Sequence, residues 1–565
     1  MTDRDVALGR RAFVGAGLVG GLALGAGPAQ ASRLLAAGTG HDHVSGCLVC
    51  ASCAAGGLGG GAAFKPRPAV SLPLGSSAAA LAAATRGAII IRPSWVLVAP
   101  GGRLDVVADQ EVVVEDGRIA EVRPVGRGTD NVVEAPGQLL VPGFISGHSH
   151  SAAGTLTRGW IEENGSVDRS GPHRGYFKAM ALIDSLTDEE LDDLTALNVA
   201  EMVRGGCTTQ VELSLSLRQV QSYVRVIRRY GLRGYAAGMV PNMSNLGDLW
   251  YRGLGKTDVL RRLDGRTIGE IAENLAFAKS VHGADNGRVQ MMMGVAVTPV
   301  FTETSFAAIL AAAKTLGTGT HVHVESGTDS PFSNLLHEYW GKGEADILKD
   351  QGFLGQRMFG AHLAGLENPA RDLQTLRSPN FTFAHCPSAA GAGQRPSTQI
   401  YPEALAAGVN TAIGFDTHSN DYVENIKLAV IGGRARALLL AKDSKIAMKE
   451  PTIWDGLNSA TLAPANGLGR ADLGRIEAGA RADLSTIDVS GFFTGNGGRP
   501  REPWNNLLYA NGNNVRSVMI DGEWKVRDGQ IGFADPAALQ ARGAKAAQRI
   551  WDKLEADGFF VKMRT

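Results

Sequence analysis

Six of the twelve histidines in the chain lie in short apolar runs, together with one aspartate and one glutamate. The run PGFISGHSH ends with His148 and His150, and a later run, HVHVESG, carries His321, His323 and Glu325. Side chains two positions apart on a β-strand share a face, so each run presents several polar groups together. Imidazoles combined with a carboxylate are typical ligands of a divalent metal ion. For HVHVESG the alternative explanation is a polar edge strand, and for His148 and His150 it is the chance occurrence of a His-x-His pair.

Three further apolar runs end in the same way, with His362 in MFGAHLAGL, His385 in FTFAHCPSAA and Asp416 in NTAIGFDTHSND. Segments of helix length separate the runs, for example LTDEELDDLTALNVAEMVRGG before CTTQVELS. This alternation over residues 142–465 favours a closed parallel barrel over an open sheet. Because active sites of such barrels lie at the carboxyl ends of the strands, we expect these histidines and Asp416 to form a metal-dependent site there.

Segments rich in β-structure flank the predicted barrel on both sides. Residues 88–141 contain AIIIRPSWVLVAP and EVVVEDGRIAEVRPV, with Asp116-Gly117 as a hairpin turn. Residues 466–535 contain VRSVMIDGEWKVRDGQ, with a second such turn at Asp521-Gly522. Residues 536–565 are predicted to form a terminal amphipathic helix. We therefore expect a small β-domain that is divided between the two flanks.

The N-terminal residues stand outside this pattern. Residues 1–31 combine Arg10 and Arg11 with a short, glycine-rich apolar stretch and the small residues Ala29-Gln30-Ala31, and they resemble a twin-arginine export signal. A transmembrane anchor is the weaker alternative, because the stretch is shorter than the ~20 residues that span a bilayer. The signal predicts a bacterial protein that is periplasmic or extracellular and has no membrane association after signal removal.

Residues 32–87 are rich in glycine and alanine, which is typical of a linker. Within this linker, HDHVSGCLVCASC contains two histidines followed by Cys47, Cys50 and Cys53. Three thiols at this spacing can bind a metal or exchange disulfides, but they lack the second CxxC pair of a typical zinc site. The role of this cluster stays open between these alternatives.

Composition excludes several classes of function. The chain has 565 residues, of which 44% are hydrophobic and 20% charged, as expected for a globular protein with a sizeable core. Lysine plus arginine and aspartate plus glutamate number 56 each, so no net charge attracts nucleic acid or an anionic membrane. We expect a small-molecule substrate as the partner, and the sequence leaves open whether the chain forms a homo-oligomer.

The motifs PGFISGHSH, HVHVES, AHLAGL, HCPSA and GFDTHSN, framed by VEDGRIAEV and GRIEAGARADL, resemble the metal-dependent amidohydrolase superfamily, in its cytosine-deaminase-like and triazine-hydrolase-like branch. The resemblance covers about residues 88–530. It implies a distorted (β/α)8 TIM barrel with a small β-sandwich formed by both flanks. It also implies hydrolysis of C–N bonds other than peptide bonds, by deamination of an aminated heterocycle or cleavage of an amide-like bond.

The resemblance also implies roles for individual residues. The metal ligands would be His148, His150, His323 and Asp416. Asp416 would also take a proton from the attacking water, His362 would polarise the substrate or stabilise an oxyanion, and Glu325 would deliver a proton to the substrate. A divalent ion bound in this way lowers the pKa of its water from about 15.7 to about 7.

Binuclear members of the superfamily carry a bridging carboxylated lysine on the fourth barrel strand. The candidate fourth strand here, GRVQMMMGVAVTPV, contains no lysine. We therefore expect one divalent metal ion per chain. Zinc is the expected ion, with iron or another divalent ion as the alternative.

Two features depart from the family pattern. The fifth strand usually carries His-x-x-Glu, whereas this chain has His323-x-Glu325, so the proton-delivery role of Glu325 is in doubt and a rival alignment makes His321 the ligand. In the alignment that we favour, His321 lies deeper in the barrel and supports a ligand. The segment VAVTPVFTETS lacks the histidine that members acting on adenosine-like substrates carry before Ala-Pro, which disfavours a nucleoside substrate.

Candidate substrate contacts are Arg158 and Trp160 after the first strand and His385 at the seventh, with loop packing as the alternative for each. Two further functions stay open. One is a dechlorinating or carbamate- or urea-cleaving hydrolase of the same superfamily. The other is a non-catalytic barrel scaffold, which the retained set of candidate ligands disfavours.

Overall fold

The computed structural model describes residues 87–126, 131–159, 179–251, 257–327, 332–392, 400–440, 442 and 445–558. The predicted export signal, the cysteine cluster of the linker and Trp160 lie outside these residues. Across the described ranges, each helix is too short or too polar to cross a bilayer.

The N-terminal flank forms five strands before the barrel begins. They are β1 (Ile89–Val98), β2 (Asp105–Ala108), β3 (Gln110–Glu115), β4 (Arg118–Pro124) and β5 (Val132–Pro142). Valine and isoleucine, whose branched side chains suit a pleated sheet, dominate β1 and β3. The turn between β3 and β4 lies at Asp116-Gly117, as predicted. Both residues have positive φ, 48° and 75°, as a tight hairpin turn requires.

Parallel strands then form the barrel. In chain order they are β6 (Phe144–Ser149), β7 (Cys207–Ser214), β8 (Arg233–Val240), β9 (Val289–Met291), β10 (Met293–Val295), β11 (Thr320–Val324), β12 (Met358–His362), β13 (Phe381–His385) and β14 (Thr411–Ile413). Neighbours in the sheet follow this order from β6 to β14, and β9 pairs only with β8. The fourth position of the barrel is therefore shared by two short strands, β9 and β10, which are separated by Met292.

Helices connect the barrel strands and follow them to the C-terminus. In chain order they are α1 (Gly154–Thr157), α2 (Asp188–Arg204), α3 (Leu217–Tyr230), α4 (Met243–Tyr251), α5 (Thr257–Val281), α6 (Glu303–Leu316), α7 (Glu344–Asp350), α8 (Pro369–Leu376), α9 (Pro387–Ala392), α10 (Tyr401–Ala407), α11 (Tyr422–Leu440), α12 (Ile453–Ala460), α13 (Leu462–Gly467) and α14 (Pro536–Ala556). Helix α2 begins with a capping box, in which Thr187 and Glu190 each accept the backbone N–H of the other.

The C-terminal flank returns to the first sheet. Its strands are β15 (Leu484–Asp488), β16 (Val515–Ile520), β17 (Glu523–Arg527) and β18 (Gln530–Ile531). Strand β15 pairs antiparallel with β5, so both flanks join in one sheet of nine strands. The predicted hairpin turn at Asp521-Gly522 lies between β16 and β17. A Cβ at Gly117 would lie 2.8 Å from the Asp521 carbonyl oxygen, so the two hairpin turns are in close contact.

The nine-stranded sheet covers a core of its own, which includes Ile91, Val112, Leu140, Leu484 and Met519. The barrel and its helices hold a much larger core, which also includes residues of the other face of the sheet, such as Leu97, Leu139 and Ile487. These two bodies confirm the predicted fold class, a distorted TIM barrel with a small β-domain that is built from both flanks.

A buried charge network joins the barrel to the β-domain. Arg233, the first residue of β8, is fully buried and donates to Asp483 at 2.8 Å. The same guanidinium pairs with Asp521, which also accepts from Arg288 at 2.8 Å. Each charge in the network is therefore balanced by a partner from the other body.

The barrel closes between β6 and the residues that follow β14. His148 O accepts from Phe415 N at 2.8 Å and from Asp416 N at 3.2 Å, and His150 N donates to Asp416 O at 3.2 Å. The Tyr422 hydroxyl, at the start of α11, lies 2.7 Å from Ile145 O and 2.9 Å from Ile413 O. We call this junction of the first and last barrel strands the seam.

Candidate metal centre

Five histidines crowd the carboxyl ends of the barrel strands. They come from β6 and the residue after it, from β11 and from β12, and they are His148, His150, His321, His323 and His362. All five are buried. The ring of His148 lies between 4.6 and 5.1 Å from the other four rings, centroid to centroid. The structure thus brings the two histidine motifs of the sequence together.

Main-chain carbonyls determine the tautomers of His150 and His323. Nδ1 of His150 donates to Leu213 O at the end of β7, and Nδ1 of His323 donates to Ala296 O at 2.7 Å. With Nδ1 protonated in each neutral ring, both Nε2 atoms carry lone pairs. These two Nε2 atoms lie 3.2 Å apart. Two facing lone pairs repel each other, whereas a cation that accepts both lone pairs removes this repulsion.

His148 supplies a third nitrogen at the same place. Its Nδ1 lies 2.8 Å from His321 Nε2, whereas its Nε2 is buried and has no hydrogen-bond partner among the described residues. Asp416 Oδ1 lies 3.4 Å from His150 Nε2 and 3.8 Å from His148 Nε2. A buried nitrogen without a partner, beside a carboxylate and two facing lone pairs, fits a divalent ion.

The histidines are held in the form that binds metals. Burial lowers the pKa of His148 and of His150 well below the usual value, and the neighbouring histidines lower both further. Burial likewise lowers the pKa of His321 to about 3. The rings are therefore neutral at physiological pH, which is the state that a metal ion requires.

His362 and Asp416 complete the cluster with unusual backbone conformations. His362 has φ of 76° and Asp416 has φ of 59°, both in the left-handed region that residues with a side chain rarely adopt. His362 Nε2 lies 3.9 Å from Asp416 Oδ2, and its ring stacks on that of His323. Strained conformations of this kind concentrate at functional sites.

The remaining predicted residues lie at different distances from this cluster. Glu325 follows β11 directly and is half-buried. Burial raises the pKa of the Cys386 thiol, and the charges of Asp416 and Glu325 raise this pKa further. His385 is buried at the end of β13, where its ring stacks on Tyr401 at 5.0 Å. Its Nδ1 has no hydrogen-bond partner within the described part of the chain.

Arg158 is engaged by residues of α1 and α2. Its guanidinium donates to Glu201 at 2.8 Å and to Gly154 O at 3.0 Å, and its side chain is 43% exposed. This pairing fixes Arg158 between α1 and α2. Its predicted substrate contact, like that of His385, stays a prediction, and Trp160 lies outside the described residues.

Two buried glutamates that the sequence analysis did not single out support the cluster. Glu212 on β7 accepts from Ser149 Oγ at 2.7 Å and from Ser151 N, so it holds the residues on both sides of His150. Glu344, at the start of α7, accepts from Ser326 N at 2.9 Å, directly after Glu325. A single acidic residue inside the strand-like run CTTQVELS was the available signal for Glu212.

Comparison with known proteins gives consistent findings. Residues 139–525 match the amidohydrolase family. A 5′-deoxyadenosine deaminase from Methanosarcina mazei is 26% identical over 477 residues, which cover 82% of this chain and 98% of the relative. A 5-methylthioadenosine/S-adenosylhomocysteine deaminase from Thermococcus kodakarensis is 30% identical over 443 residues, which cover 75% of this chain and 91% of the relative.

Two solved structures show the same fold at low sequence identity. An adenosine deaminase from Xanthomonas campestris with bound zinc has a TM-score of 0.64 and 20% identity, and the match covers 82% of this chain and 98% of that one. An atrazine chlorohydrolase from Arthrobacter aurescens TC1 in complex with zinc has a TM-score of 0.64 and 18% identity. That match covers 81% of this chain and the whole of the other.

Proposed function

Because the chain belongs to the amidohydrolase family and is a hydrolase of C–N bonds, we propose that it deaminates an aminated heterocycle with the help of one divalent metal ion. The observation that carries the proposal is the pair of facing Nε2 atoms of His150 and His323. Beside them lie the carboxylate of Asp416 and the Nε2 of His148, which has no hydrogen-bond partner among the residues that the structure describes. The similar deaminases support an amino group as the leaving group.

We assign the metal to His148, His150, His323 and Asp416. An ion at this position supplies Lewis acidity and an activated water. Zinc fits three neutral imidazoles and one carboxylate, and zinc is bound in a solved structure of the same fold. Metal analysis of the purified chain should give one equivalent, and a variant with Cys47, Cys50 and Cys53 changed to serine controls for binding by the linker. Two equivalents in that variant contradict a single-ion site.

The remaining residues act on protons and on the substrate. Asp416 accepts the proton of the attacking water, since its carboxylate lies within 3.9 Å of three of the histidines. Glu325, on the same side of the barrel, delivers a proton to the ring nitrogen or to the departing amine. His362 donates to the oxygen that develops negative charge.

A screen for ammonia release tests the function. The panel pairs nucleosides with free bases: 5′-deoxyadenosine, methylthioadenosine and S-adenosylhomocysteine against adenine, guanine, cytosine and aminotriazines. The names of the relatives favour the nucleosides, whereas the segment VAVTPVFTETS disfavours them. Chloride release from chlorotriazines, or cleavage of carbamates without ammonia release from any heterocycle, would contradict deamination.

Asp416→Asn tests the mechanism once a substrate is found. The amide keeps the shape and one oxygen donor but cannot accept a proton, so turnover should fall by at least ~10²-fold. Asp528→Asn is the matched control, because Asp528 also has positive φ and is exposed. Unchanged turnover and metal content in Asp416→Asn would assign the proton acceptor to another carboxylate.

We also propose that the chain is exported through a twin-arginine signal. Arg10, Arg11 and the small residues Ala29-Gln30-Ala31 support this proposal. Expression in a bacterium with a twin-arginine pathway should yield a periplasmic protein that begins near Ser32. Replacement of both arginines by lysine should retain the full-length chain in the cytoplasm, and export of that variant would contradict the proposal.

A further inference from the structure

The outer face of helix α11 carries an exposed apolar stripe. The exposed fractions are 38% for Leu428, 49% for Ile431, 62% for Leu438 and 76% for Leu439. Gly432 and Ala435, also exposed, lie between them. Residues three, four and seven positions apart lie on one side of a helix, so these six side chains form a continuous surface, the α11 stripe.

Two arginines of α11 next to the α11 stripe have partners elsewhere in the described part of the chain. Arg434 turns aside and donates to Pro451 O at 2.7 Å, and Arg436 pairs with Glu403 at 2.7 Å. The opposite face of α11, with residues such as Ile426 and Val430, is buried against the barrel. The helix is therefore apolar on both faces, which a helix with one solvent-facing side does not require.

We propose that the α11 stripe is the interface through which two copies of this chain pair around a two-fold axis, with the two α11 helices antiparallel. An uncharged apolar stripe is complementary to itself, which is the condition for a two-fold interface. Gly432 and Ala435 at its centre allow the two helices to approach closely. This inference does not depend on the proposed reaction.

The charges at the ends of α11 favour the antiparallel arrangement. Glu424 lies in the first turn of the helix, and the exposed Lys442 and Lys445 follow its end. In an antiparallel pair, the acidic start of one helix lies beside the basic end of the other. The helix dipoles oppose each other in the same arrangement, which is also favourable.

The α11 stripe is large enough to form the apolar centre of a dimer interface, although not the whole of it. Its exposed apolar area is on the order of 400 Å² on each copy, comparable with the largest patch of a typical monomer. A pair would bury about 800 Å² through the stripe alone, which is about half of a standard interface of ~1,600 Å². The flanking polar residues of α11 would supply the rim.

Sedimentation velocity and light scattering on the purified full-length chain test the proposal. We expect a dimer for the unaltered chain. Leu439→Glu and, independently, Ile431→Glu should each raise the dimer dissociation constant by at least ~100-fold, because each copy then brings an unpaired charge into the apolar interface. Leu439 is 76% exposed, so folding and thermal stability of Leu439→Glu should match those of the unaltered chain.

Val125→Glu is the matched control, because Val125 is 47% exposed in the β-domain, close to the value for Ile431. This variant should remain a dimer. An unaltered chain that is monomeric at all concentrations overturns the proposal, and so does a dimer that both α11 variants leave intact.

A charge reversal tests the antiparallel register. Glu424→Lys should weaken the dimer by repulsion from Lys442 of the second copy, and adding Lys442→Glu should restore it. Failure of the double variant to recover affinity overturns the antiparallel arrangement.

Discussion

At the scale of single residues, the hydrogen bond between His148 Nδ1 and His321 Nε2 separates the roles of the two histidines in the run HVHV. His321 bonds to Nδ1 of the candidate ligand His148, whereas Nε2 of His323 lies 3.2 Å from Nε2 of His150. A group that bonds to the second nitrogen of a ligating histidine fixes its orientation and its tautomer. The pattern His-x-His alone contained two possible registers along the strand, and the contacts of the folded chain favour one of them.

His323→Ala should abolish metal binding, because it removes one of the two facing nitrogens. His321→Ala should weaken metal binding by only ~10–100-fold, since it removes a supporting partner. Competition with a chelator measures both affinities, and His337→Ala, at a side chain that is 60% exposed, is the control. An empty site in His321→Ala combined with a filled site in His323→Ala would reverse the assignment.

Glu344 predicts a pH dependence of stability. Burial raises the pKa of its carboxyl from 4.5 to about 7 in the folded chain, so folding binds a proton between these pH values. The stabilising contribution is complete below pH 4.5 and is lost as the pH rises through about 7. Its size is on the order of 3 kcal/mol.

Glu344→Gln keeps an oxygen that accepts from Ser326 N but cannot titrate. Between pH 5 and pH 8, the free energy of unfolding of this variant should fall less than that of the unaltered chain. Denaturant unfolding at several pH values measures the difference, with the exposed Glu115→Gln as control. Parallel pH profiles for the unaltered chain and Glu344→Gln would show that the Glu344 carboxyl does not titrate in this range.

The candidate ligands could be predicted from the sequence because each lies at the end of an apolar run and such runs recur along the chain. Glu212 and Glu344 were not accessible, because their importance comes from contacts with Ser149, Ser151 and Ser326 that only the folded chain creates. For the same reason, the engagement of Arg158 by Glu201 could not be predicted.

At the scale of elements, three parts of α11 have different surroundings. Its first residue, Tyr422, bonds to main-chain carbonyls of β6 and β14, its inner face packs on the barrel, and its outer face is the α11 stripe. Hydrophobic periodicity predicts that a helix has a buried face. It does not predict which helix keeps a second apolar face exposed, because that depends on what the neighbouring elements cover.

Tyr422→Phe tests the contribution of this helix to the seam. The ring should keep its stacking on Phe144 (5.0 Å between centroids), whereas the hydroxyl bonds to Ile145 O and Ile413 O are lost. We expect the free energy of unfolding to fall by about 1–2 kcal/mol. Denaturant unfolding measures it, with Tyr509→Phe, 62% exposed, as control. Equal losses in the two variants would contradict a specific contribution from the seam.

Local sequence also accounts for several elements directly. Both Asp-Gly turns were predictable because two consecutive residues with positive φ are strongly disfavoured outside this type of pair. The interruption of the fourth barrel strand at Met292 was not, because three methionines in succession, Met291 to Met293, give no period that marks a break.

At the scale of the whole molecule, the Arg233 network joins the barrel to the β-domain, beside the apolar contact that one face of the nine-stranded sheet makes with the main core. The chain leaves the β-domain at β5 and returns to it at β15, so this domain cannot form from one contiguous segment. The sequence indicated the division of the β-domain, because β-rich runs with similar turns occur on both flanks. It gave no indication of the charges between the bodies, since Arg233 and Asp483 are 250 positions apart.

Asp483→Asn tests this connection. The variant leaves the fully buried Arg233 with only part of its compensating charge, so the free energy of unfolding should fall by about 3 kcal/mol. The control is Asp109→Asn, which breaks an exposed pair with Arg499 and should have no measurable effect. A result for Asp483→Asn as small as that of the control would show that Asp521 alone compensates the guanidinium.

The seam places three of the candidate ligands on the two sides of the barrel closure, with His148 and His150 on one side and Asp416 on the other. Closure of the barrel and assembly of the metal site are therefore linked equilibria. Linkage is reciprocal, so an ion that binds both sides favours closure by the same factor by which closure favours the ion. A change that loosens the seam at a distance from the ion, at Tyr422 for example, should thus be read out as a lower metal affinity. Withdrawal of the ion should in turn speed hydrogen exchange at the amides of His150, Phe415 and Asp416, which hold the ring of strands closed.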